Sequence, residues 1–360
     1  MANQFYRGQN PLSSVEKVRQ GKIIPVKIVA TGRYLPEKIV TNEDFIKEFG
    51  LEMSPEVQEK LLFIGSKEHR IVASGEQPSD LLVKAGKEIL EKAGIKAEEL
   101  TAIVVSTTPP DFLEPATAAV VQKKLGAGLS GCLVVDVTAS CTGWLTAVDF
   151  ASRIIITSER LEKILILAAA LTSRFPAQSL RHRAIFGDGA GGILLEKSSI
   201  NEESCIYGSE FLGLGEYSDV IYLPAPWSIF PLTTPESLQG YFYMSEGYPG
   251  EKKLLFKLMK EHLPLLLERL WKKTGFAPKD VDFAIIHQPS KPLYETAVER
   301  LGISPEKVAY NFDRYGNTVA AELPITLDEN IVAGKIKKGD LVLLVTYGAG
   351  ITAGAMLLRY

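Results

Sequence analysis

The chain has little with which to build a disulfide framework or a metal centre: of its 360 residues, three are cysteine and four are histidine. Cys132, Cys141 and Cys205 are odd in number and show no ligand-like spacing, which argues against a stapled secreted domain and against a zinc site. An excess of either charge is missing too. Lys and Arg number 40 against 43 Asp and Glu, a formal net charge of −3, so no basic balance points to nucleic acid. Long apolar runs are absent: the longest, Ile164 to Leu171, has the length of a buried strand and falls far short of the roughly 18 residues of a membrane span. The opening stretch, MANQFYRGQNPLSSVEKVRQGK, is polar and lacks the apolar centre of a signal peptide. The expectation is a protein of the reducing cytoplasm, in which a thiol is available for chemistry.

What is present is globular: 46% hydrophobic residues, 23% charged and 30 glycines. At this length either two domains or one large duplicated unit is expected. From about Ile24 short β-branched runs alternate with longer amphipathic stretches, the pattern of an α/β protein with largely buried strands. Strands are predicted at Ala102–Val105, Leu133–Val137, Ile164–Ala168, Ala184–Phe186, Phe283–Ile286 and Leu341–Val345. Helices are predicted at Asp80–Ala93, Lys252–Lys273 and Leu293–Leu301, the second kinked or shortened at Pro264.

The two halves resemble each other. EKAGIKAEELTAIVV, from Glu91, lies against KKTGFAPKDVDFAII, from Lys272; both read as a helix end, a glycine cap, a polar loop and an apolar strand. KKLG, ending at Gly126, matches ERLG, ending at Gly302. Cys141 lies 15 residues beyond the first glycine and Asn317 15 beyond the second. ILILAAA then pairs with LVLLVTY, and GAGGILLE (Gly189–Glu196) with TAGAMLLRY (Thr352–Tyr360). Four matches in one order indicate an internal duplication. They predict an extension over residues 1–23, a first half over 24–200 and a second over 201–360. In a pseudo-twofold arrangement Cys141 and Asn317 occupy equivalent places, each at the start of a helix, with His287 at the end of a strand. Strand ends are where α/β folds build their sites.

Cys141 sits in VVDVTASCTGWLTAVDFA, a strand, a turn of small residues and a helix apolar nearly all round (Trp144, Leu145, Ala147, Val148, Phe150, Ala151). A cysteine at a helix start feels the positive end of its dipole, which favours thiolate. Taken locally it is equally a small buried hydrophobe. His69, His182 and His262 lie in charged surroundings, whereas His287 directly follows an apolar strand in FAIIHQPSKP. Asn317, in RYGNTVAAELP, reads on its own as a turn residue. The clusters FGDGAGG and YGAG fit neither GxxxxGK[ST] nor a GxGxxG after a first strand. Close backbone packing, with N–H groups turned towards an oxyanion, accounts for them better.

Together DVTASCTG, IFGDGAGG, the His287–Gln288 pair, YGNTVAA and YGAGITAGAMLLRY resemble the β-ketoacyl-acyl-carrier-protein synthase III family of the thiolase superfamily, over nearly the whole chain from Ile24. The resemblance implies a duplicated thiolase-like α/β fold, two pseudo-symmetric halves layered α-β-α-β-α, in a cytoplasmic homodimer of fatty-acid or related lipid metabolism. It implies an acyl-accepting Cys141, His287 and Asn317 on the carbonyl of an extender thioester, an oxyanion hole from the backbone N–H groups of Cys141 and Ala349, and an acyl pocket lined by Phe186 and Tyr347. Lys257, Lys291 and Arg300 fall on or beside positions that are basic in the family's carrier-protein docking face. No metal or other cofactor is implied; CoA or acyl-carrier thioesters are the substrates and acyl carrier protein the partner. A malonyl thioester then condenses by decarboxylation.

The chain also departs from that pattern. Ser290 stands three residues after the histidine, where the family often has Asn, and Glu59 and Phe63 occupy the places of the Trp and Arg that clamp a CoA adenine. DFLEPATA, with Glu114, and HQPS look more like the head-to-head acyl-CoA condensing enzymes of bacterial olefin synthesis, in which the equivalent glutamate reaches the partner's site and acts as a base. The order Cys…His…Asn also matches papain-like hydrolases, which have no internal repeat. Acyl transfer to oxygen or nitrogen and a non-catalytic acyl-binding scaffold complete the alternatives.

Overall fold

The computed structural model describes residues 23–175, 180–199, 204–222, 243–244 and 251–360, so residues 1–22 of the expected N-terminal extension lie outside it. In chain order the strands are β1 (Val26–Tyr34), β2 (Lys38–Thr41), β3 (Glu68–Ile71), β4 (Ala102–Thr108), β5 (Leu133–Asp136), β6 (Lys163–Ala170), β7 (Gly189–Lys197), β8 (Cys205–Gly213), β9 (Ile221–Tyr222), β10 (Tyr243–Met244), β11 (Phe283–Ile286), β12 (Leu341–Gly348) and β13 (Thr352–Arg359).

One sheet runs β1-β7-β6-β4-β5 and another β8-β13-β12-β11. Their pairings repeat in sense. β1 with β7 and β7 with β6 are antiparallel, β6 with β4 and β4 with β5 parallel. β8 with β13 and β13 with β12 are antiparallel, β12 with β11 parallel. A parallel bridge between Ala284 and Val308 takes the place of β5. The duplication read from paired motifs is thus a duplication of sheet topology.

Three apolar layers separate the secondary structure. Leu81, Leu82, Ala85 and Ile89 of the helix Pro78–Ala93 pack on Ile103, Leu165 and Leu194 of the first sheet. Leu263, Leu266, Leu267 and Leu270 of the helix Glu251–Thr274, with Ala297 and Leu301 of the helix Lys291–Leu301, cover Ile286, Leu343 and Leu357 of the second. Between the sheets lie the helices Gly143–Thr157 and Glu322–Val332, whose Trp144, Leu145, Val148, Leu323, Ile325 and Leu327 touch both inner faces. Neither helix is wholly apolar: Gly143–Thr157 turns Phe150, Arg153, Ile154 and Thr157 outward, and Glu322–Val332 buries Glu322, Thr326, Asp328 and Asn330. Among the described residues no helix is long and apolar enough to cross a membrane.

Several sequence expectations change. The run Ala184–Phe186 is a turn ending in a single bridge from Phe186 to Asn317; a short apolar run does not distinguish strand from buried turn. The helix Glu251–Thr274 runs through Pro264 without interruption. Phe150 and Ile154, on the helix expected to be buried all round, are exposed. The positional counterpart of Cys141 is not Asn317. Each inner helix is preceded by one 3₁₀ turn, Ser140–Thr142 or Val319–Ala321, whose first residue has positive φ, +48° at Ser140 and +51° at Val319. Cys141 therefore corresponds to Ala320, and Asn317 lies three residues upstream.

Candidate active site

The turn that carries Cys141 is pinned from the opposite half. Thr346, near the end of β12, donates to the Cys141 carbonyl at 2.9 Å, and the hydroxyls of Thr142 and Thr352 are 3.1 Å apart. At Gly348 an added Cβ would lie 2.9 Å from Cys141 Cβ and 3.1 Å from its backbone N, so only glycine lets β12 end here. Ala349 follows at once. Cys141 is thus held where the turn Ser140–Thr142 leads into the helix Gly143–Thr157.

His287 extends from the end of β11, its own N–H bonded to the Val345 carbonyl at 2.9 Å. Its neighbour Gln288 is buried and accepts from the N–H groups of Asn311 and Phe312, both at 3.1 Å. That ties the strand end to the segment leading into Asn317. The imidazole is buried; Nδ1 lies 2.6 Å from Glu322 Oε2, in a direction that departs from a linear N–H···O bond. Glu322 Oε1 accepts from the Gln288 N–H at 2.8 Å. Burial alone lowers the pKa of the ring, but the charges of Cys141 and Glu322 outweigh it and hold the ring above its ordinary value. For Glu322 burial raises the carboxyl, and His287 and the Gln288 N–H offset part of the rise. Tyr347 lies edge-on to the imidazole, 5.5 Å between centroids, and its hydroxyl donates to the His287 carbonyl at 2.7 Å.

Asn317 is fastened on three sides. Its N–H donates to Ile185 at 2.7 Å, its carbonyl accepts from Gly187 at 3.1 Å, and its Oδ1 accepts from Val319 N–H at 2.7 Å. With Oδ1 engaged, the two Nδ2 hydrogens are left as the donors of the amide. The Val319 bond also accounts for the positive φ of a β-branched residue there. Beneath lies His69, buried beside Phe45 and held down to a pKa of about 4 by burial, which the Phe186 backbone partly offsets. A Cβ at Gly316, where φ is +64°, would lie 2.5 Å from His69 Nδ1.

Cys141, His287 and Asn317 meet on one cavity of about 940 Å³, which Phe186, Tyr347 and Ala349 also line. A volume near the top of the usual ligand-pocket range has room for more than a two-carbon acyl group. Leu212, Leu214, Leu258, Met259 and Leu263 give it apolar walls from the second half; Leu61, Phe63 and Ile64 of the helix Pro55–Ile64 close it from the first. Glu59 and Phe63 are thus both on the wall. Ser290 also lines the cavity, as does His262, which the sequence places only on a charged helix. Glu114 does not; it is exposed on the loop beyond β4. Lys257 and Lys291 are exposed beside lining residues, whereas Arg300 sits about 15 Å along the helix from Ser290. Lys291 and Arg300 lie 3.9 and 4.0 Å from Glu295 and Glu299. Sequence reasoning missed Glu322, which looks like an ordinary first-turn helix glutamate.

A duplicated thiolase-like fold with a helix-start cysteine, a buried histidine and an asparagine on one apolar cavity defines a condensing acyltransferase. Residues 135–213 match the 3-oxoacyl-[acyl-carrier-protein (ACP)] synthase III family, and residues 271–360 match the corresponding C-terminal family. A β-ketoacyl-[acyl-carrier-protein] synthase III of Symbiobacterium thermophilum is 35% identical over 298 residues, 82% of this chain and 87% of the relative. The crystal structure of 3-oxoacyl-[acyl-carrier-protein] synthase III from Aquifex aeolicus superposes with a TM-score of 0.80 at 32% identity, covering 93% of this chain and all of that one. A variant OleA of Xanthomonas campestris matches at TM-score 0.79 and 19% identity, over 93% and 97% of the two chains, a likeness of fold alone. The chain belongs to the β-ketoacyl-[acyl-carrier-protein] synthase III family. It is an acyltransferase on the thiolase-like fold, not a papain-like hydrolase.

Proposed function

We propose that Cys141 takes an acyl group from a CoA or carrier thioester and that His287 and Asn317 then bind the carbonyl of a malonyl thioester on acyl carrier protein. Loss of CO₂ leaves an enolate whose oxygen both side chains stabilise where its charge develops. The enolate carbon attacks the Cys141 thioester, giving a β-ketoacyl thioester and freeing the thiolate. The backbone N–H groups of Cys141 and Ala349 receive the tetrahedral oxyanion, and Phe186 and Tyr347 line the acyl chain. The reaction calls on no metal or redox cofactor. The observation that carries this reading is the meeting of Cys141, His287 and Asn317, from three separate elements, on one apolar cavity.

The volume and apolar walls of the cavity support an acyl donor longer than acetyl, and Glu59 and Phe63, in the places of the adenine clamp, weigh against acetyl-CoA as that donor. Lys257, Lys291 and Arg300 are offered as the docking face for an acidic carrier. A reducing cytoplasm suits a reactive thiol. A second copy of this chain is proposed to seat on β5, an edge strand whose Leu133 and Val135 are exposed, beside exposed Phe112 and Leu113 on the loop from β4. Mass spectrometry of the protein after exposure to a panel of acyl-CoA and acyl-carrier thioesters tests the assignment. An acyl adduct on Cys141, lost in Cys141→Ala, is expected; an adduct on Cys132 or Cys205 instead overturns it.

A further inference from the structure

The contact between His287 and Glu322 makes a demand on the imidazole that the proposed chemistry leaves open. Two lone pairs cannot face each other at 2.6 Å, so a proton lies between His287 Nδ1 and Glu322 Oε2 although the approach is bent, and with the carboxyl ionised that proton belongs to Nδ1. The carboxylate has little freedom to turn away, because its other oxygen is held by the Gln288 N–H and the group is buried at the first residue of the helix Glu322–Val332. A neutral His287 would then present Nε2 as an acceptor, and only the doubly protonated ring would present a donor there. The titratable groups around the pair are Cys141 on the nucleophile turn, Tyr347 on β12, and Tyr294 and Tyr310 behind it.

We propose that Glu322 is a positioning residue that keeps a proton on His287 Nδ1, so that Nε2 first accepts the Cys141 proton and then meets the extender thioester as part of an imidazolium. In acyl transfer the proton passes from Sγ to Nε2 and Sγ bonds to the acyl carbon. The bond from that carbon to the donor sulfur breaks, and the departing thiolate takes the Nε2 proton. The ring regains a proton from solvent before condensation. As the carboxylate of the malonyl group leaves as CO₂, its bonding pair becomes the enolate, whose oxygen meets Nε2–H and Asn317 Nδ2–H. The enolate carbon then bonds to the acyl carbon, and the electron pair of that C–S bond returns to Sγ. A cationic donor stabilises the enolate more strongly than a neutral one. Of the influences that raise the His287 pKa, the charge of Cys141 disappears once Sγ carries the acyl group and that of Glu322 remains, which leaves Glu322 to favour the imidazolium at the condensation step.

The inference rests on the proposed role of His287, and separate assays of the two half-reactions distinguish the two claims. Glu322→Gln keeps the shape and removes the charge. It should slow malonyl-dependent condensation by on the order of a hundredfold, and the alkaline limb of the pH profile should move to lower pH. Glu322→Asp should restore part of the rate. Long-range ¹H–¹⁵N spectra of the four imidazoles in the acylated enzyme, with His287 assigned through His287→Ala, should report an imidazolium at pH 7 in the wild type and a neutral ring in Glu322→Gln. If Glu322→Gln changes neither the profile nor the spectrum while His287→Ala abolishes condensation, Glu322 is merely structural. If His287→Ala itself condenses normally, the reading of His287 fails first. Should Glu322→Gln not fold, the wild-type spectrum decides alone, because a neutral ring protonated on Nε2 overturns the proposal.

Discussion

A thiolate that has accepted an acyl group is spent as a nucleophile, so the residues that act before and after acylation are separable. Cys141→Ala should form no acyl-enzyme. His287→Ala and Asn317→Ala should still acylate, more slowly for His287, and should lose condensation by on the order of a hundredfold or more, read in single-turnover assays with a malonyl thioester. Equal loss of both half-reactions in Asn317→Ala would count against its placement on the extender carbonyl. The buried histidine below Asn317 makes a different prediction. Burial holds the His69 pKa down to about 4 in the fold, against about 6.5 for an imidazole in water. Above pH 6.5 it is neutral in both states and its burial carries no proton-linked penalty. As pH falls from 6.5 to about 4 the unfolded chain takes up a proton that the folded chain does not, and about 3 kcal/mol of stability is lost. Urea midpoints across that window should fall more steeply in the wild type than in His69→Leu; parallel curves would mean that His69 is protonated in the fold.

At the scale of elements, what matters is which edges and faces remain uncovered. β5 is paired on one side by β4 and has nothing beyond it among the described residues. Its alternation leaves Leu133 and Val135 exposed at 46% and 38%, an arrangement that invites strand pairing. Val135→Lys should convert a dimer to a monomer in sedimentation without lowering the melting temperature of the monomer; a wild-type monomer at micromolar concentration would refute a β5 interface. The helices that bear Lys257 and Arg300 predict something separable. Charge reversal at both should raise KM for a carrier-bound substrate several-fold, through lost electrostatic steering, and leave turnover of a small thioester unchanged. An equal loss on both substrates would indicate damage to the fold. Arg300 stands well apart from the cavity mouth, so Lys257 is expected to account for most of the effect.

At the scale of the whole molecule the question is what a second copy would add. Glu114 is exposed in the single chain, on a loop beside the β5 edge, and lies outside the cavity wall of its own subunit. If the loop enters a partner's cavity, burial would raise the carboxyl and fit it to take a proton from the α-carbon of a second acyl thioester. Under the decarboxylative reading, Glu114→Gln should leave malonyl-dependent condensation within about twofold, since no step of that reaction needs a base there. A collapse of acyl–acyl condensation in that variant, with Cys141 still acylating, would establish head-to-head chemistry instead.

Much of this was legible beforehand, for physical reasons that can be named. Paired motifs report repeated topology because the same glycine caps and apolar strands recur in both halves, and four strands of the first sheet recur in the second, with a single bridge in the place of β5. Cys141 was readable because a strand, a small-residue turn and an apolar helix are local in sequence. Local pattern is silent about apposition across long separations. Counting residues from a glycine made Asn317 the counterpart of Cys141, whereas the backbone turn at Val319 sets it three residues back, with its amide oriented by a bond that spacing does not reveal. Phe150 looks as apolar as Trp144, and only the packed layers decide that one faces outward and the other lies between sheets. Glu322 marks the limit most sharply. By sequence it is a carboxylate at a helix start, stabilised by the dipole whether or not anything faces it. Tertiary structure alone removes it from water and sets it against His287, because the cost of burying a charge depends on what packs around it, not on its neighbours in the chain.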